Sequence, residues 1–348
     1  MDITGLLHSL RMRASWFDAR KVLLLAGLDP GQGWDRTVDR YEDLDVEDEQ
    51  GDTLSDLLIE HTIAGEKALQ FYRLKRNQLD ALKDKVDKLR VPKSPASEAY
   101  PELIELPTGT LDGASQSEVV YKSETADGVF VVSSAVREYD ERVEIEMDNL
   151  ATGTRNAFVG YSHLIGVRSV RRQVFDVLWL PTQGTTVCVA ADCPRGAPGD
   201  FVHKSQTAIR SFMTKSIGEK VEPKNLFPAI EKSYESDWGK VVELGFTTDT
   251  ASVKHERMRL KRQCLREELF HVGGKEAVDG IIHPFQISID WKSVYSQDPR
   301  VQGRPEATLH GTARMLHQPV PTIYDVVFRH GLRVKDLRLV KSKIMSFL

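Results

Sequence analysis

Val174-Phe175-Asp176-Val177-Leu178-Trp179-Leu180, then Pro181-Thr182-Gln183-Gly184, then Val187-Cys188-Val189-Ala190-Ala191 is the most apolar stretch in the second half of the chain. Two runs rich in β-branched and aromatic residues flank a Pro/Gly turn, which predicts a β-hairpin. Its apolarity places it at the heart of an α+β domain. Cys188 reads there as a small packing thiol, and Asp176 as one polar residue in an otherwise apolar strand.

Working outward, the residues before the hairpin show a period of two. Val119 and Tyr121 alternate with polar neighbours, and Val129 to Val132 follow an Asp127-Gly128 turn. Val143, Ile145 and Met147 alternate with Glu144, Glu146 and Asp148, predicting a half-buried strand with an acidic solvent face. Phe158 to Val167 fits neither period. Beyond the hairpin, the Pro194–Gly199 loop leads to predicted helices at 200–216 and 225–236, the second with Asn225 as N-cap and Pro228 in its first turn. Strands are expected at Val241–Phe246, Phe285–Ile289, 306–313 and 322–329. Residues 252–271, carrying Lys254, Arg257, Arg259, Lys261, Arg262 and Arg266, read as a basic helix. The tail, where Leu337 and Leu339 flank Arg338, reads as a strand running into a short helix.

The N-terminal third reads as helical. Ile3, Leu6, Leu7 and Leu10 recur at helical spacing, and Ser15 with Asp18 makes an acidic capping box for a second helix ending near Gly27. The loop Asp29-Pro30-Gly31-Gln32-Gly33 matches neither phosphate-binding glycine pattern and reads as a turn. Glu42, Asp43, Asp45, Glu47, Asp48, Glu49 and Asp52 do not follow the calcium-loop order and read as a solvated loop. Residues 53–90 read as the clearest helical element, with Tyr72, Leu79, Leu82, Val86 and Leu89 as an apolar seam for bundle packing or for a dimer. Pro92, Pro95, Pro101 and Pro107, with Gly109, Gly113, Ser115 and other small residues, mark a linker in which Leu103-Ile104-Glu105-Leu106 is an apolar patch. The expected organisation is a helical domain at 1–91, a linker at 92–117, and an α+β domain at 118–348 with a mainly antiparallel sheet and flanking helices.

The 348 residues are 41% hydrophobic and 28% charged, an ordinary globular composition. No apolar run approaches the ~18 residues of a membrane helix. The start has no basic stretch leading into an apolar core, and three cysteines do not make a disulfide framework; both point to a cytoplasmic protein without a membrane partner. The net charge of −4 hides an asymmetry: residues 92–165 hold 13 acidic and 5 basic side chains, whereas residues 301–348 hold 3 acidic and 8 basic.

Signatures of chemistry are sparse. There is no Gly-x-Ser-x-Gly elbow. Cys188, Cys193 and His203, like Cys264, His255 and His271, lack the paired spacing of zinc ligands, so no metal or other cofactor is expected. Glu144, Glu146 and Asp148, with Asp290, are the carboxylates a metal-dependent nuclease would use, a reading kept as an alternative. Four basic clusters are more suggestive, because phosphate contact requires Lys and Arg: Arg168–Arg172, the 254–266 run, Lys204/Arg210/Lys215, and Arg329–Lys343. Tyr161, Trp238, Trp291 and Tyr295 are aromatic candidates for base stacking. These observations predict a non-enzymatic binding subunit of a larger assembly. It would bind DNA or RNA through Arg168, Arg171, Arg172, Arg257, Lys261, Arg262, Arg333, Lys335, Arg338, Lys341 and Lys343, and a protein partner through the helical region. A pure protein adaptor is the other alternative. One continuous positive groove on the folded chain would favour binding; dispersed patches would not.

Overall fold

A computed structural model describes residues 2–42, 44–106, 116–161, 163–250, 252–260 and 263–348. Its elements run α1 (Thr4–Arg13), α2 (Trp16–Leu25), α3 (Trp34–Glu42), α4 (Asp48–Ala64), β1 (Lys67–Arg73), α5 (Arg76–Asp87) and α6 (Pro95–Ala99). There follow β2 (Glu118–Thr125), β3 (Gly128–Ile145), α7 (Thr152–Ala157), β4 (Leu164–Pro181), β5 (Thr186–Asp192), α8 (Gly199–Ile217) and α9 (Pro228–Glu235). The chain closes with β6 (Lys240–Thr247), β7 (Val253–Arg257), α10 (Leu269–Glu276), β8 (His283–Asp290), β9 (Glu306–His310), β10 (Val326–Arg329) and α11 (Val334–Ser346).

The described strands form one sheet in the order β2-β3-β4-β5-β1-β10-β9-β8-β6-β7, every neighbouring pair antiparallel. With helices before it and on its faces, the chain is an α+β protein. The hairpin expected from the apolar stretch is β4–β5, with Val177 opposite Ala190 and Trp179 opposite Cys188. Its unbroken apolarity has a physical reason: this part of the sheet is covered on both faces, so neither row of alternating side chains meets water. Phe175, Val177, Trp179, Cys188 and Ala190 join Leu337, Val340 and Ile344 of α11 in one core. Leu178, Leu180, Val187 and Val189 point the other way, against Leu79, Leu82 and Val86 of α5 and Ile209 and Met213 of α8. Each buried valine, leucine, isoleucine, phenylalanine or methionine among them contributes roughly 1.5–3 kcal/mol by leaving water.

The N-terminal helices have their own core of Leu6, Leu10, Val22, Leu54 and Leu58, which Leu332 enters from just before α11. Ser15 caps α2 as expected, accepting from the Asp18 amide at 3.3 Å. Buried ions join these helices to the sheet. Asp192, at the end of β5, accepts from Lys67 Nζ at 2.5 Å, from two Arg13 nitrogens at 3.1 Å, and from the Phe175 amide at 2.7 Å. Arg13 ends α1, so this cluster ties the first helix to β1, β4 and β5. Asp176, the lone polar residue of the β4 run, accepts from the Asp192 amide at 3.0 Å and pairs with Arg137 at 3.3 Å.

Several expectations are corrected. Residues 53–90 are not continuous helix, because 67–73 is strand β1, paired with β5 and β10 in the middle of the sheet. Gly65 stops α4: a Cβ there would lie 2.7 Å from the His61 carbonyl. The apolar seam is real only from Leu79 on; Tyr72 reaches the same core from the strand, which made the spacing look helical. The described residues of 252–271 are not a basic helix but edge strand β7, a 3-10 turn and the start of α10. The run had charge but no apolar stripe to hold a helix against a core. The tail is helix α11 throughout 334–346; its buried face is Leu337, Val340 and Ile344, at three- and four-residue steps. Val143 and Ile145 are exposed and not half-buried, since β3 and β4 run past the sheet as a two-stranded ribbon. Leu164–Val167, ambiguous in sequence, is the far end of β4. Asn225 does not cap α9; its Oδ1 accepts from the Phe227 and Ile323 amides at 3.0 and 3.1 Å. Within 92–117, Pro95–Ala99 is a short helix capped by Ser94, and Ile104 N–H donates to Gln173 at 2.9 Å. Asp43, Pro107, Gly109, Gly113, Ser115, Lys261 and Arg262 lie outside the described residues.

Candidate functional site

The cations expected to contact phosphate are dispersed, and many are engaged within the chain. On the β3–β4 ribbon, Arg168 pairs with Glu141 at 2.5 Å and Arg171 with Glu138 at 3.0 Å. Arg172 donates to the Met12 carbonyl at 3.0 Å. Arg257 lies 3.7 Å from Glu243 on the neighbouring strand. Near α11, Arg333 makes a two-pronged bond to Glu60 at 2.5 and 3.0 Å, which also accepts from the Val334 amide. Lys335 donates to the Val294 carbonyl at 2.8 Å, and Arg338 pairs with Asp127 at 2.7 Å. Lys341 lies 3.7 Å above the Trp179 ring, and burial lowers its pKa. Lys261 and Arg262, being outside the described residues, have no assigned place.

Lys343 has a different setting. It borders an open cleft of about 1430 Å³ where five parts of the chain meet: α2, the Asp237–Lys240 entry to β6, residues 259–260 with 264–267, the end of β8 with the following loop to Arg304, and α11. Among the described residues, nine cations line this cleft against three carboxylates. The cations are Arg20, Lys21, Lys240, Arg259, Arg266, Lys292, Arg300, Arg304 and Lys343; the carboxylates are Asp237, Glu267 and Asp290.

The floor of the cleft is built. Gly239 adopts φ +86°, and a Cβ there would lie 2.7 Å from the Trp291 indole nitrogen; glycine lets the backbone lie flat on that ring. Arg266 closes one side by donating to the carbonyls of Tyr234 at 3.2 Å and Gly239 at 2.5 Å. It thereby fixes the α9–β6 turn without spending its charge on a carboxylate. Arg304 is held by Asp290 at 2.8 Å, and Arg300 by Asp298 at 2.7 Å. Arg20, Arg259 and Lys292 are exposed and have no carboxylate within ion-pair distance among the described residues. Lys21 is buried 3.5 Å from Asp18, and burial lowers its pKa against the pull of that carboxylate.

Two aromatic rings border the same cleft, each half exposed: Phe17 and Trp238 are both at 50%. Lys21 Nζ lies 3.7 Å from the Phe17 centroid and Lys343 Nζ 3.6 Å from that of Trp238. Of the other stacking candidates, Trp291 is only 5% exposed, and Tyr295 donates its hydroxyl to Asp336. Tyr161 is exposed beyond the ribbon, away from the cleft lining.

The carboxylates considered for metal chemistry are not brought together. Glu144 meets His163 at 2.5 Å on the ribbon, whereas Asp290 holds Arg304. Among the described residues no group of three or more His, Cys, Asp or Glu side chains is placed to hold a metal ion. No described helix is long and apolar enough to cross a membrane.

Sequence reasoning named Trp238 and Lys343 but missed the cleft, because its cations come from five segments distant in sequence. Arg259 and Arg266 were visible in the basic run; nothing in sequence linked them to Arg20 or Lys292. The fold and this cleft define the chain as an α+β protein with a basic, aromatic-edged groove at one end of an antiparallel sheet. Comparison with protein-family models, curated proteins and solved structures finds no significant match.

Proposed function

We propose that the protein is a nucleic-acid-binding subunit and that the cleft bordered by Arg20, Arg259, Lys292 and Lys343 is its contact surface. The observation that carries this reading is the convergence of nine cations and three carboxylates on one opening. A net positive opening of this kind costs folding free energy through like-charge repulsion. A polyanion would offset that cost, and counterion release would supply most of the affinity. The volume of about 1430 Å³ exceeds the roughly 300–1,000 Å³ of a small-ligand pocket, which favours an extended ligand.

The bulk of the chain gives no sign of this, since the overall pI is near 6.2. Locally the balance reverses: among the described residues, the carboxylates that neutralise Arg168, Arg171, Arg333 and Arg338 have no counterpart beside Arg20, Arg259 or Lys292. Electrostatic attraction would therefore concentrate at the cleft. The test is a fluorescence-anisotropy titration of labelled oligonucleotides against the full chain over a range of salt. Salt-sensitive association, weakened at least about tenfold by Arg20→Glu/Arg259→Glu/Lys292→Glu together, is the expected result. Association that is absent, or indifferent to these three changes, would defeat the reading. An acidic peptide that competes as well as an oligonucleotide would redirect it to a protein partner.

A further inference from the structure

Resting on that reading, we infer that the nucleic acid bound in the cleft is single-stranded, with unpaired bases stacking on Trp238 and Phe17. Both rings are half exposed at the edge of the basic opening. Hydration of so much aromatic surface is unfavourable, and within the chain each ring is covered only in part. Phe347 is tilted 47° against Trp238 with centroids 6.1 Å apart, and His330 meets Phe17 edge-on at 6.0 Å.

Each ring carries an ammonium, from buried Lys21 at Phe17 and from part-exposed Lys343 at Trp238. An ammonium lies 3.7 Å from the Phe17 centroid and another 3.6 Å from that of Trp238. A cation–π contact explains each pair by itself. It does not explain why both pairs face one opening lined by further arginines. A nucleotide with its base unstacked explains the juxtaposition: the base covers the free part of the ring while its phosphate meets the cleft cations within reach, Lys343 beside Trp238 and Arg20 beside Phe17, Lys21 being buried against Asp18. A duplex can satisfy the cations but not the rings, because its bases are already stacked and paired. Stacking on aromatics is sequence-tolerant, so the site is expected to bind without strong base preference.

The experiment compares a labelled oligothymidylate, an oligouridylate and a mixed-sequence duplex of equal length, at one salt concentration, against wild type, Phe17→Ala, Trp238→Ala and Trp238→Phe. Either or both single strands should bind about tenfold more tightly than the duplex. Each alanine variant should lose about tenfold with the single strand, the scale of one lost base stack, while duplex binding stays unchanged. Trp238→Phe should keep most of the affinity. In the unmodified chain the single strand should also quench tryptophan emission, and this quenching should vanish in Trp238→Phe, a readout that does not depend on the alanine variants folding. Duplex binding as tight as single-strand binding, with the ring variants silent, would overturn this inference and leave the cleft reading standing. Binding to none of the three would defeat the cleft reading itself.

Discussion

Asp192→Asn is the substitution that best probes how the N-terminal helices are held on the sheet. Burial alone would raise the Asp192 pKa, but Arg13 and then Lys67 pull it down to about 2. The carboxylate is thus charged across the ordinary pH range, and it is the shared acceptor of two cations and the Phe175 amide. Asparagine keeps the shape and one acceptor but removes the charge. Lys67, which is fully buried, then keeps neutral acceptors such as the Phe175 carbonyl at 2.5 Å, and of negative charge only the distant share of Asp176. Removing one partner of a buried pair costs about 3–5 kcal/mol, a large part of a typical total of 5–15 kcal/mol. Guanidinium unfolding followed by far-UV circular dichroism would read it as a lower midpoint at unchanged slope. Lys67→Met added to Asp192→Asn should recover roughly 2 kcal/mol, because the more deeply buried of the two uncompensated cations is gone and only Arg13 is left. A loss under about 1 kcal/mol in the single variant, or no recovery in the double, would refute the claim that this carboxylate fastens α1 to the sheet.

Other predictions follow from individual contacts. His61 is buried on α4, and burial followed by the Arg13 charge lowers its pKa from 6.5 to about 4. The unfolded chain binds that proton first, so stability should fall by about 3 kcal/mol as pH drops from 6.5 to 4; His61→Leu should flatten that slope in pH-dependent denaturation. Glu60→Gln should loosen the start of α11 by about 1–2 kcal/mol, seen as a lower melting temperature, because Arg333 and the Val334 amide share this acceptor. Arg168→Glu/Arg171→Glu on the ribbon should change oligonucleotide affinity less than about twofold, measured by anisotropy, since Glu141 and Glu138 already neutralise both.

How far the fold was legible depends on what set each local pattern. The hairpin declared itself because burial on both faces leaves an apolar run with a Gly turn between, and no other structure accommodates Val187–Ala191 as easily. Strand β1 did not, because Lys67 and Gln70 sit in its core positions. Their partners, Asp192 for the lysine and Gln206 and Asp325 for the glutamine, are more than a hundred residues away in sequence. Helix α11 was misread where Leu337 and Leu339 mimic alternation, although Leu337, Val340 and Ile344 carried the helical period. The candidate site was the least legible part. Arg333 and Arg338 look like free cations in sequence, yet Glu60 and Asp127 lie beside them. Arg20 and Lys292 look unremarked and become neighbours of one opening only when α2 packs beside the Pro299–Val301 turn.

The measurement that bears most directly on the cleft is the salt dependence of single-strand binding in wild type and in Arg259→Ala/Lys292→Ala. Each phosphate contact contributes about 0.7 to the slope of log affinity against log salt for a single strand. Removing two exposed cleft cations should therefore flatten the slope by about 1.4 and leave the melting temperature unchanged. A double variant with the wild-type slope and affinity would mean that phosphate is held elsewhere on the chain, or not at all.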